Sequence, residues 1–140
     1  TEAGLTLELV ANPDILAGIG RLVRGVDEAG APAGPPLLPR PVLVGFAAET
    51  GSLARAAGKL ARKGVDLLVA NDVAEEGSGF GTETNRVTIL AADGTEEALP
   101  LLAKREVAER ILDRVVVALD ARDRAAQTAG HVPPQEGPRP

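Results

Sequence analysis

PVLVGFAAETGSLARAAGKLARKGVDLLVANDV, residues 41 to 73, holds two short apolar runs either side of a small-residue segment with helical spacing. Val42, Leu43, Val44 and Phe46 make the first run, and Leu67, Leu68, Val69 and Ala70 make the second. Each is too short for a useful helix and reads as a strand covered on both faces. Between them, Leu53 to Lys63 keeps Leu53, Ala56, Ala57, Leu60 and Ala61 on one side and Arg55, Lys59 and Lys63 on the other, as a half-buried helix does. The spacing predicts a strand, a crossover helix and a parallel strand. Open α/β sheets bind ligands beyond the carboxyl ends of their strands. Those ends carry Ala48-Glu49-Thr50 and Asn71-Asp72.

Upstream, Leu5, Leu7 and Leu9 alternate with Thr6, Glu8 and Val10, the pattern of a half-buried strand. Asn12 then reads as an N-cap, Pro13 as the first helical residue and Asp14 as a first-turn acid. They open a helix from about Pro13 to Val26 with Ile15, Leu16, Ile19, Leu22, Val23 and Val26 as its apolar stripe. Asp27 to Pro41 contains five prolines and reads as a solvated surface loop.

Downstream, Thr50 or Ser52 can cap the crossover helix, and Gly51 eases the turn into it. Glu75 to Thr84 is a glycine-rich loop with neither the lysine nor the following helix of a P-loop; Phe80 is expected to pin it to the core. Arg86 to Ala91 reads as a strand, Asp93-Gly94 as a hairpin turn, and a short return strand is expected to reach about Leu99. From Ala103 to about Arg122, Val107, Ile111, Val115 and Leu119 define a long amphipathic helix, with Ala108, Leu112 and Val116 beside them. Glu106 to Arg110 and Arg105 to Glu109 have ion-pair spacing. Residues 1–122 form one domain, and 123–140 read as a disordered tail rich in proline and glycine.

Composition narrows the chemistry. The chain has 140 residues, 15 basic and 20 acidic, for a formal net charge of −5, which does not fit a polyanion-binding surface. Two phenylalanines and no tryptophan or tyrosine leave no platform for stacking bases, so no nucleic-acid partner is expected. Without cysteine there is no disulfide, thiolate nucleophile or cysteine metal site. The single histidine, His131, lies in the tail, and Ser52 and Ser78 lie in expected loops, so a serine hydrolase triad is set aside. No apolar run has membrane-spanning length and the start has no signal-peptide pattern. A cytoplasmic protein without a membrane partner is expected, and Thr1 points to a trimmed or partial chain.

Several of these segments together resemble a known family. GFAAET at 45 to 50, Lys59 with Lys63, DLLVANDV at 66 to 73, Gly79-Phe80 with Asn85, Lys104, and NPDIL at 12 to 16 are similar to phosphopantothenate:cysteine ligase. In bacteria that enzyme is usually the C-terminal half of a bifunctional coenzyme A biosynthesis flavoprotein. The resemblance runs from about Leu5 to Arg122 in matching order. It implies an α/β, Rossmann-like fold with a mainly parallel sheet and flanking helices. The family's earlier half, with its glycine-rich loop, Ala-Ala-x-x-Asp segment, lysine-rich motif and catalytic asparagine, has no counterpart here, so no catalytic residue is assigned.

The resemblance further implies joining of 4'-phosphopantothenate to L-cysteine with CTP and magnesium, through an acyl-cytidylate. FMN would belong only to an absent decarboxylase half. Asn12, Pro13, Asp14, Ile15, Phe46, Lys59 and Lys63 would bind the nucleotide, and a homodimer is implied. Taken alone, Asn12-Pro13-Asp14 is a helix start, Phe46 a core aromatic and the lysine pair a solvated helix face. Against the last, the chain uses 12 arginines and only three lysines, and a compact ammonium suits phosphate and ribose oxygens. As exposed helix charges, Lys59 and Lys63 are expected to matter to CTP binding and hardly to stability. Two other readings stand beside the ligase: a non-catalytic nucleotide-binding or dimerisation fragment, and an unrelated α/β interaction domain.

Overall fold

A computed structural model describes residues 4, 6–49, 53–73 and 81–129. Its elements are α1 (Ile15–Arg24), β1 (Val44–Glu49), α2 (Leu53–Lys63), β2 (Leu67–Asp72), β3 (Thr84–Asn85), β4 (Val87–Ala91), β5 (Glu96–Ala98), β6 (Leu102–Ala103) and α3 (Lys104–Ala129). Leu5, the proposed caps and turn at Thr50, Gly51 and Ser52, the loop residues 74–80 with Phe80, and the tail residues 130–140 lie outside the described residues.

The central unit forms as its spacing predicts, except that β1 lies at the edge of the described sheet with Phe46 and Ala48 exposed rather than covered on both faces. β1 and β2 pair in parallel, Val44 opposite Leu67 through Glu49 opposite Asp72, and α2 crosses between them. Because side chains alternate across a strand, the apolar run of β2 feeds two cores. Leu67 and Val69 join Val87, Ile89, Leu99 and Val107, with Val44, Ile111 and Val115 packed against them, under α3. Leu68 and Ala70 join Ala56, Val65 and Leu90, with Leu16, Leu43, Ala47 and Leu60, under α1 and α2. A strand buried on both faces needs apolar residues at every position. That is why residues 67–70 contain no polar side chain.

The sheet order is β1-β2-β4-β5, which makes an α/β layer with helices on both faces. β2 pairs antiparallel with β4 and β4 antiparallel with β5, so the described sheet is mixed where a mainly parallel one was expected. For the β4–β5 pair the cause is local: Asp93 and Gly94 turn the chain straight back. The Asp93 carboxylate accepts the Thr95 N–H at 2.8 Å, and Gly94 adopts φ 88°, a conformation glycine takes without steric cost. A separate two-stranded sheet, β3 with β6, was not expected.

Three expectations are corrected. Residues 6–10 form no strand, and Leu7, Leu9 and Val10 are exposed; alternation specifies a face but not a hydrogen-bonding partner, and none of the described strands pairs with this segment. The N-cap of α1 is Asp14 rather than Asn12: its side chain accepts the Ala17 N–H at 3.1 Å, and Asn12 and Pro13 stand before the helix. Either side chain can cap, and Asp14 is the one with a tertiary partner. Finally, α3 runs 26 residues to Ala129, past Arg122 and into the proposed tail, because Ala125, Ala126 and Gln127 favour helix and no breaker occurs before Gly130. At its start, the Glu106 carboxylate accepts the Ala103 N–H at 3.1 Å, a capping contact in place of the expected pair with Arg110. The Arg105 to Glu109 pair is present at 3.3 Å.

Asp27 to Pro41 is largely exposed, as expected of a loop. It is nevertheless anchored: Arg40 donates to Asp66 at 2.8 Å, Asp66 accepts the Leu43 N–H at 2.8 Å, and Arg122 donates to the Arg40 carbonyl.

Candidate functional site

Two motifs 49 residues apart in sequence meet where α1 lies on α2. The Lys63 ammonium is 3.1 Å from each carboxylate oxygen of Asp14. The approach depends on Gly20, whose Cβ, if it had one, would overlap the carbonyl oxygen of Lys63. Glycine there lets α1 sit on the last turn of α2 and carries the N-terminus of α1 to Lys63. The Ala17 N–H and then the Lys63 ammonium hold the Asp14 carboxyl below the usual aspartate range. Asp14 is therefore an anion at neutral pH, at a helix end whose dipole favours negative charge.

One turn earlier on α2, Lys59 donates to Glu49 at 2.5 Å. Glu49 ends β1 and shares its parity with Gly45 and Ala47, which places it on the α2 side of the sheet. Its side chain is 8% exposed and that of Lys59 30%. The two lysines, four residues apart, thus stand as parallel rungs on one face of α2, one tied to α1 and the other to β1. Both were expected to be ordinary solvated charges in energetic terms. For Lys59 the burial of its partner changes that.

Of the other proposed nucleotide residues, Asn12, Pro13 and Ile15 are exposed at the start of α1, on the segment that Asp14 anchors to Lys63. Phe46 does not join them. It is 71% exposed and has the opposite strand parity from Glu49, so it faces the α3 side. There it lines a cavity of about 360 Å³ with Ala48, Asn71, Asn85, Lys104 and Val107. This concavity and the Lys59–Glu49 pair therefore lie at the same end of β1 on opposite faces, with the Lys63–Asp14 pair one turn of α2 further on. Lys104 opens α3, its backbone N–H donating to the Glu83 carbonyl at 3.0 Å. In the sequence Glu49 stands among the strand-end polar groups with no role of its own. Its signal was strand parity: an acid in register with the helix-facing positions of a buried strand.

Among the described residues no group of three or more histidine, cysteine, aspartate or glutamate side chains could hold a metal ion. Asp14 and Glu49 are each engaged by a lysine, so they do not form a magnesium cage by themselves. No described helix is long and apolar enough to cross a membrane.

Residues 1–119 match the family model described as "DNA/pantothenate metabolism flavoprotein C-terminal domain". The chain belongs to this family. It is 40% identical over 115 residues to the coenzyme A biosynthesis bifunctional protein CoaBC of Bacillus subtilis (strain 168), covering 81% of this chain and 25% of that protein. Against the CoaBC of Mycobacterium bovis it is 44% identical over 119 residues, 81% of this chain and 26% of the relative. Against that of Escherichia coli (strain K12) it is 36% identical over 121 residues, covering 86% and 26%. The chain thus spans about a quarter of the length of these curated relatives. A crystal structure of the C-terminal domain of CoaBC superposes with a TM-score of 0.59 at 35% identity, over 79% of this chain and 46% of that one. The α/β layer of this family member is the fold of that domain.

Proposed function

We propose that this chain carries part of the nucleotide site of a phosphopantothenate:cysteine ligase. The reaction joins 4'-phosphopantothenate to L-cysteine in the cytoplasm: CTP converts the carboxylate to an acyl-cytidylate with loss of pyrophosphate, and the cysteine amine displaces CMP. Activation is required because a carboxylate is a poor acyl donor at neutral pH, whereas a nucleoside monophosphate is a competent leaving group.

The observation that carries this reading is the contact of Lys63 with Asp14, which unites the helix start at 12–15 with the lysine face of α2. An ammonium has three donors. Lys59 and Lys63 can each keep a carboxylate partner and still offer donors to phosphate or ribose oxygens, while the α1 N-terminus presents the positive end of its dipole. Magnesium would arrive on the triphosphate, which commonly supplies several of its ligands; the described residues add no cage for it. FMN chemistry is assigned to a separate decarboxylase half. Phe46 would meet the nucleotide only at the end of β1, from the opposite face.

In this reading the chain contributes binding and positioning, and the groups that stabilise developing charge come from elsewhere in a homodimeric ligase. Such preorganised donors are each worth roughly 3 kcal/mol of barrier. The test is release of pyrophosphate and CMP from CTP with phosphopantothenate and cysteine present, preceded by titration with CTP. The chain alone is expected to bind CTP without completing turnover, and addition of a separately expressed upstream ligase half is expected to restore it. Substantial turnover by residues 1–140 alone would remove the division of labour.

One observation favours a second reading. Both lysines are already paired with carboxylates, as they would be in an α/β interaction domain that uses them only to tie α1 and β1 to α2. Absence of CTP binding would decide for it.

A further inference from the structure

Glu49 is the one buried charged or polar residue among the described residues, at 7% exposure. Withdrawing a carboxylate from water costs several kcal/mol unless it is paired, and apolar residues of similar size commonly serve stability as well as a buried ion pair does. Stability alone therefore gives a weak account of an acid at this position. Its location gives a stronger one: Glu49 is the last residue of β1, at the carboxyl end where α/β sheets take ligands. Its single side-chain partner in the described structure is the ammonium of Lys59, at 2.5 Å.

We propose that Glu49 is a positioning residue that fixes the Lys59 ammonium at the carboxyl end of β1, so that its remaining donors meet phosphate oxygens of a bound nucleotide. This rests on the nucleotide-site reading above. A lysine on four rotatable bonds loses much rotamer freedom when it engages a ligand. Glu49 removes that freedom beforehand: its carboxylate is buried, while the Lys59 side chain remains 30% exposed and its ammonium has more donors than this one contact uses. Lys63 is held differently, by a half-exposed Asp14, so the two lysines need not respond alike.

The experiment measures binding of CTP, and separately of inorganic tripolyphosphate, by calorimetry on the full chain and on Glu49→Leu, Glu49→Gln, Lys59→Met and Glu49→Leu/Lys59→Met, with thermal melts of each. Preorganisation of one long side chain is expected to be worth about a tenfold change in affinity. Glu49→Leu should lose that factor while remaining folded. Glu49→Gln, which keeps an acceptor at the same reach, should lose less. Added to Lys59→Met, Glu49→Leu should change nothing further. A merely structural role would lower the melting temperature or the fraction of competent protein, but not the affinity of the folded fraction.

The proposal is overturned if folded Glu49→Leu binds as tightly as the parent, if Glu49→Gln loses as much as Glu49→Leu, if the loss persists without Lys59, or if Lys59→Met itself has no effect. Should the parent bind tripolyphosphate but not CTP, the ligase reading falls and the Glu49 comparison is decided on tripolyphosphate. Should it bind neither, both fall.

Discussion

Gly20 and Lys63 approach so closely that α1 can rest on the end of α2 only because residue 20 has no side chain. Backbone, not a flexible side chain, stands in the way of a Cβ, so the helices must separate to accept one. Gly20→Ala is accordingly expected to destabilise the fold by about 1–3 kcal/mol, the usual range for overpacking, despite the better helix propensity of alanine. It should also draw Asp14 away from Lys63 and weaken CTP binding. Urea denaturation and CTP titration of the variant check both, and an unchanged midpoint would show that α1 is not seated as described.

The two lysines should differ in stability although they occupy equivalent places on α2. Lys59→Met strands the buried Glu49 carboxylate and is expected to cost about 1–3 kcal/mol. Lys63→Ala frees an Asp14 side chain that is 51% exposed and can be rehydrated, so it should cost much less. Thermal melts compare them directly. Equal melting temperatures would restore the simpler expectation that both are surface charges.

Acid should loosen the start of α1. The Asp14 carboxyl is held below its ordinary value, first by the Ala17 N–H and then by Lys63. A carboxylate whose folded pKa is depressed contributes stability above its unfolded value, about 3.9, and loses it as pH falls through the folded value. The contribution is therefore complete at neutral pH and lost only in strong acid. NMR titration should find Asp14 protonating below the ordinary aspartate range, with Lys63→Ala moving it part of the way back. A shift that survives Lys63→Ala in full would assign the depression to the cap alone.

Self-association is expected at high micromolar concentration. β1 is an edge of the described sheet, Phe46 within it is largely exposed, and α3 presents Leu112 and Val116 to solvent. An open strand edge beside exposed apolar side chains favours pairing with another chain. Sedimentation velocity that finds only monomer across that range would count against the homodimer.

Much of this protein was determined by sequence alone, wherever the cause is local. Residues 67–70 had to be a strand covered on two faces because they are apolar at successive positions, Leu53 to Lys63 had to be an amphipathic helix, and Asp93-Gly94 had to reverse the chain; the run at 42–46 is likewise strand from Val44 on, but at the edge of the described sheet, with Phe46 exposed. The family was legible for a different reason: its motifs are contiguous strings whose order survives without any coordinates. Tertiary structure decided what depends on which distant group lies opposite. Alternation of Leu7 and Leu9 could not supply a strand partner, and Asn12 read as the cap with Asp14 a first-turn acid, whereas the folded chain caps α1 with Asp14 and brings Lys63 to it. Lys59 and Lys63 looked alike on their helix until β1 placed a buried Glu49 against the first. Phe46 was separated from the lysines by strand parity, which a sequence shows, together with the packing of α3 on one face and α2 on the other, which it does not. A side chain's energetic role follows from the burial of its partner, and partners far apart in the chain are chosen only when the sheet and helices close on one another.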